Sequence, residues 1–155
     1  FSGRISGPTP VSQQWVRGRS VETLPFADHS FDRIVVNLSL SFSRSPLHAL
    51  RELFRVLRPG GKLIVSAITP LADMALPYRS SLQELGVDAF SGDARLALNR
   101  MAQCCVALRV GQLHAFQEES LSAALAQVTS TPARLVRTFS GQILVALAEK
   151  PDSAG

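Results

Sequence analysis

The chain has 155 residues, 46% of them hydrophobic, enough to enclose one core and too few for two. Its formal charge of +4 rests almost wholly on arginine, with Lys62 and Lys150 the only lysines, and the arginines are scattered, without the basic block or Arg/aromatic interleaving of a nucleic-acid groove. No apolar run approaches the roughly 18 residues of a membrane span, and the two cysteines, adjacent at Cys104 and Cys105, form neither a disulfide framework nor a metal ligand set; nucleic acid, membrane and metal are therefore not expected partners, and a cytoplasmic compartment is.

The start, Phe1-Ser2-Gly3-Arg4, has no initiator Met and no signal-peptide core, so it reads as a domain cut from something longer. Gly3, Gly7, Pro8 and Pro10 make residues 1–14 a flexible leader. Residues 15–19, from Trp15 to Arg19, read as a strand. Phe31-Asp32-Arg33-Ile34-Val35-Val36-Asn37-Leu38 reads as another, so continuous in apolar β-branched residues that burial on both faces is expected. Between them, Pro25 breaks the ladder in a turn-forming connection.

Ser45-Pro46 marks a helix start, Ser as cap and Pro at the first helical position. Leu47, Leu50, Phe54 and Leu57 then recur on one face, and Pro59-Gly60-Gly61 must end the helix. Residues 62–67 form a second buried strand. Strand, helix, glycine turn and strand make a right-handed βαβ crossover. Further on, helices are expected over 80–85, about 93–109 and about 118–128. The 93–109 helix places Leu98, Met101, Ala102, Cys105 and Leu108 on one face, so its cysteines serve packing. Residues 134–139 and 142–149 read as an antiparallel hairpin joined at Ser140-Gly141, before a frayed tail over 151–155.

Two blocks carry a resemblance. Leu24-Pro25-Phe26 with Ser30-Phe31-Asp32, and Glu52 followed by Arg55-Val56-Leu57-Arg58-Pro59-Gly60-Gly61-Lys62-Leu63, are similar in residues and spacing to the segments that enter the fourth and fifth strands of class I S-adenosylmethionine-dependent methyltransferases of the ubiquinone and biotin pathway type. The resemblance spans 15–150, which is the expected domain. It implies an α/β fold: a truncated Rossmann-like sheet with flanking helices and an antiparallel C-terminal hairpin, taken from a parent sheet of order 3-2-1-4-5-7-6. Each motif residue also has a packing role open to it: Phe31 and Phe54 as core, the glycines as a turn, and Asp32 as a partner for backbone donors.

In that family a glycine-rich loop after the first strand and an acidic residue ending the second meet the cofactor. Only 14 residues precede Trp15, whereas two strand–helix units need on the order of 60. An Asp expected before Leu24-Pro25-Phe26 falls at Ser20, and a His expected after the fourth strand falls at Phe42. The candidate cofactor-binding residues that remain are Ser20, Val21 and Glu22 on the adenine side, and Asn37, Leu38 and Ser39 at the end of the Phe31 strand. No catalytic residue is nominated: His29, His48 and His114, the three histidines, read as surface or helix positions.

The function implied is a methyltransferase-type domain, inactive or incomplete as an isolated chain, whose parent methylates a small molecule. The alternative is a noncatalytic methyltransferase-like interaction or scaffold module. S-adenosylmethionine is the implied cofactor, and this chain alone is not expected to hold it. Without the first strands, one edge of the Phe31 strand is left open. The strand at 15–19 could cover it, but a homodimer or a companion polypeptide is the expected solution.

Overall fold

The computed structural model of the chain describes residues 20–73 and 92–152, except for the side chains of 92–95, 97–99, 101 and 102. In chain order it contains β1 (Phe31–Val36), α1 (Ser39–Phe42), α2 (Pro46–Val56), β2 (Leu57–Ile68), α3 (Gly92–Arg109), α4 (Glu118–Ala126), β3 (Arg134–Thr138) and β4 (Ile143–Glu149). The expected leader, the strand at 15–19, the helix at 80–85 and the placement of Leu98, Met101 and Ala102 lie outside the described residues.

One four-stranded sheet runs in the order β1-β2-β4-β3. β1 and β2 are parallel, and β4 is antiparallel to both β2 and β3. This is the order implied for the last four strands of the parent sheet, final hairpin included. The hairpin loop covers 139–142, longer than Ser140-Gly141 alone, because Thr138 pairs with Ile143. Phe139, Ser140 and Gly141 all take positive φ there.

α2 crosses from β1 to β2 and buries Ala49, Leu50, Leu53, Phe54 and Val56. These join Leu63, Val65 and Ala67 of β2, Leu144, Ala146 and Ala148 of β4, and Leu121 and Leu125 of α4 in one core. This main core therefore lies on one face of the sheet, and on the other face Ile68 of β2 and its partner Ile143 of β4 are buried as well. Elsewhere on that face, register aligns Val35 with Ile64 and Ile64 with Leu147, and Val35 is 70% exposed, Ile64 39% and Val136 64%. The expectation that the Phe31 strand is buried on both faces is thus corrected at Val35, while β2 is covered on its second face only toward its end, at Ile68. A β-branched run satisfies strand geometry whether or not a second layer covers it; here the core residues of α2 and α4 gather with only one set of alternate β2 side chains.

The helix also ends earlier than Pro59-Gly60-Gly61 suggests. Lys150 Nζ donates to the carbonyls of Phe54 (2.5 Å) and Leu57 (2.7 Å), satisfying groups that a helix C-terminus leaves open and placing a cation at its negative end. Partial burial pulls the Lys150 pKa down. From Leu57 the backbone is extended, and residues 58–61 swing out of register opposite Asp32 before Lys62 rejoins β1 at Arg33. Gly60 has φ +69, and a Cβ on Gly61 would lie 2.7 Å from the Arg58 carbonyl. The glycine pair is thus demanded by the excursion inside β2 rather than by a helix stop.

Candidate functional site at the carboxyl end of β1

The motif residues of the two blocks bind each other. Arg55, on α2, donates from Nη1 to the carbonyl of Phe26 (2.9 Å) and to Asp28 Oδ1 (2.7 Å), and from Nη2 to the carbonyl of Leu24 (3.2 Å). Its Nε and Nη2 also grip Glu52, both at 2.9 Å, while Glu52 Oε2 accepts the Leu24 N–H. The Glu52/Arg55 pair therefore straps the 24–28 segment onto α2, which explains why the two blocks occur together. Hydrogen bonding to Arg55 lowers the Glu52 pKa. Phe54 is core, whereas Phe31 is half-buried and stacks edge-on against Phe26 at 4.9 Å. Asp32 pairs with Arg58 (2.8 Å) rather than with backbone donors.

Beyond the strap, β1 stops at Val36. Leu38, expected to continue the strand, sits at φ +57. That left-handed residue turns the chain into α1, a correction that no propensity scale signals for leucine. The turn is held from β2. Leu38 N–H donates to Ser66 Oγ (2.9 Å), which donates to Asn37 Oδ1 (2.7 Å). Deeper in, fully buried Ser41 accepts the Ile68 N–H through its Oγ at 3.0 Å.

This geometry opens a depression of about 830 Å³ lined by Ser20, Val21, Glu22, Asn37, Ser39, Phe42, Ser43 and Arg44. Five of the six nominated residues are thereby brought together. Leu38 is half-buried and is not part of the lining. Ser43 and Arg44 were not nominated; the only trace of them in the sequence is the polar run that ends at Ser45. Phe42 is 55% exposed and contributes an aromatic wall. No histidine lines the depression. A second, apolar groove of about 400 Å³ runs along β1 and shares Val21, Asn37 and Ser39 with the first.

Glu22 has a structural task. Its Oε1 accepts hydrogen bonds from Ser43 Oγ (2.7 Å), Arg44 N (2.6 Å) and Ser45 N (3.0 Å). Ser45 sits at the N-cap of α2 without a side-chain cap bond, so Glu22 supports that end of the helix instead. The Ser43 hydroxyl, then the Ser45 and Arg44 amides, hold its pKa below the ordinary value. A carboxylate so depressed stabilises the fold fully above the unfolded glutamate pKa of about 4.3 and loses that contribution as pH falls through the native value. The melting-temperature gap between wild type and Glu22→Gln should therefore be constant near neutrality and close in acid. A gap unchanged down to the acid limit would contradict this role.

Among the described residues, no three or more His, Cys, Asp and Glu side chains gather as a metal site, and no helix is long and apolar enough to cross a membrane. Cys105, half-buried on α3, donates to the Ala72 carbonyl at 3.7 Å.

Residues 7–65 match a family model described as "Methyltransferase domain". Over 80 residues the chain is 38% identical to a ubiquinone/menaquinone biosynthesis C-methyltransferase of Roseobacter denitrificans, an alignment covering 52% of this chain and 32% of that protein. Over 49 residues it is 51% identical to a malonyl-[acyl-carrier protein] O-methyltransferase of Erwinia pyrifoliae, covering 32% and 19%. The alignments thus span a third or less of these relatives. Among solved structures, a SAM-dependent methyltransferase, possible histamine N-methyltransferase, from Thermotoga maritima superposes with TM-score 0.55 at 18% identity, over 84% of this chain and 61% of that one. A SAM-dependent methyltransferase from Aquifex aeolicus superposes with TM-score 0.53 at 14% identity, over 87% and 54%. These superpositions speak to the fold alone.

Proposed function

We propose that this chain, which belongs to the class I S-adenosylmethionine-dependent methyltransferase family, forms one wall of a methyltransferase cofactor site and needs further structure to complete it. The observation that carries this reading is the gathering of Ser20, Val21, Glu22, Asn37 and Ser39 around one depression at the carboxyl end of β1, where open α/β sheets bind ligands. The residues present fit part of the group: Asn37 and Ser39 offer polar atoms and Phe42 an apolar wall, while Glu22 Oε1 is already committed to the 43–45 segment. When bound, the cofactor supplies a methyl group to a nucleophilic atom of a small molecule. This chain's own contribution is to bind and orient, since in-line transfer depends chiefly on positioning.

The depression runs on into the groove beside β1, whose outer edge has no strand partner among the described residues. A second copy or a companion polypeptide would cover that edge and close the site. The domain is taken as 15–150, between the leader and tail, and its compartment as cytoplasmic. That the relatives are named as enzymes favours this reading over a scaffold module.

Calorimetric titration with S-adenosylhomocysteine tests it. The chain alone should bind weakly, with Kd in the roughly millimolar range. Micromolar binding would overturn the claim that the site is incomplete. No binding even at millimolar ligand would overturn the placement of the cofactor in this depression.

A further inference from the structure

We propose that Ser66 is a positioning residue for the depression, its hydroxyl fixing the Asn37 side chain so that the amide NH₂ group is offered to an oxygen acceptor on the ligand. The parallel ladder between β1 and β2 ends at Val36 opposite Val65. One residue further, a side chain takes over from the backbone. Ser66 Oγ accepts the Leu38 N–H at 2.9 Å, and its one hydrogen goes to Asn37 Oδ1 at 2.7 Å.

A hydroxyl has one proton to give, and an amide has one oxygen to receive it. With Oδ1 held by Ser66 through one of its two lone pairs, the amide is fixed in orientation, and its two Nδ2 hydrogens have no acceptor among the described residues. Asn37 is exposed and lines the depression, so those hydrogens are available to a ligand. The same hydroxyl braces Leu38 in its left-handed conformation, a state that persists when surrounding structure holds it. One serine on the neighbouring strand thus sets both the turn and the donor. A fixed NH₂ group selects a carbonyl, carboxylate or hydroxyl oxygen and disfavours an ammonium. The ligand half of this inference rests on the reading of the depression as a cofactor wall; the hold of Ser66 on Asn37 does not.

NMR of the ¹⁵N-labelled chain separates the two. The Asn37 side-chain NH₂ should show rigid-backbone relaxation in the wild type and in Ser66→Thr, and fast local motion in Ser66→Ala and in Ser66→Val, the hydroxyl-free shape match of threonine. If Ser66→Ala fails to fold, the Thr/Val pair alone decides. Equal mobility in all variants would overturn the hold. S-adenosylhomocysteine at millimolar concentration should shift the Asn37 NH₂ resonances, and loss of the Ser66 hydroxyl should weaken that binding roughly fivefold, as for one hydrogen bond. If 5′-methylthioadenosine also shifts them, the acceptor is a ribose hydroxyl; if it does not, the acceptor is the amino-acid carboxylate. Shifts elsewhere in the depression with Asn37 unmoved would overturn the donor role. If no resonance moves, the cofactor reading and the donor role fall together, and the relaxation data still decide the hold.

Discussion

Leu63→Ala should lower the unfolding free energy by about 2–5 kcal/mol, and Ile64→Ala by less than about 1 kcal/mol. The two residues are neighbours on β2, similar in size and equal in strand pairing, each facing both β1 and β4. They differ in what lies above them. Leu63 is fully buried in the core with α2 and α4, whereas Ile64 is 39% exposed. Truncating Leu63 leaves a cavity that the packed core closes only partly, while truncating Ile64 removes a side chain already in contact with water. Against a total stability of about 5–15 kcal/mol for a typical domain, the first change approaches unfolding. Urea denaturation of both variants provides the measurement, and equal losses would contradict this difference in burial.

At the outer edge of β1, Val35→Lys should weaken association by about tenfold or more, since a lysine at an edge is a standard way for proteins to prevent pairing. The wild-type chain combines a strand edge with no partner among the described residues, an apolar groove containing Leu24, Phe26, Phe31 and Ile34, and a valine 70% exposed beside them. Multi-angle light scattering at tens of micromolar should therefore show a wild-type dimer that reverts to monomer in the variant. A strictly monomeric wild type would count against the second copy and leave the companion polypeptide, for which captured binding should show the same sensitivity to Val35→Lys.

Local chemistry made much of the fold legible. Ser45-Pro46 marked the start of α2, and the hairpin followed from two apolar runs around Ser140-Gly141. The sheet order came from the family that the two motif blocks resemble, not from local chemistry. What was not legible depended on partners distant in sequence. Nothing in Phe31 to Val36 states how many faces are covered, because the covering layers come from α2 and α4. Glu22 reads as a ligand candidate until the 43–45 segment is brought against it, and Arg55 as an outward-facing charge until the 24–28 segment folds over it. The end of α2 is capped by Lys150, far along the chain, which takes the Phe54 and Leu57 carbonyls. At the site, sequence position pointed to five residues that the fold gathers, but it was silent on Arg44 and on the left-handed turn at Leu38.

The grip of Lys150 on the end of α2, and the pairing of Lys62 with Glu149, impose an order on biosynthesis. β2 is made well before its antiparallel neighbour β4, with α3, α4 and β3 between them. Until β4 follows, β2 has its parallel partner on one side and an open ladder on the other, and the carbonyls at the end of α2 lack their cation. Contacts of such long separation are slow to form, and half-built sheets are the species that aggregate. The nascent crossover therefore has to be kept from other chains until β4 has been made, and deleting Ile143 to Lys150 would leave it in that state permanently.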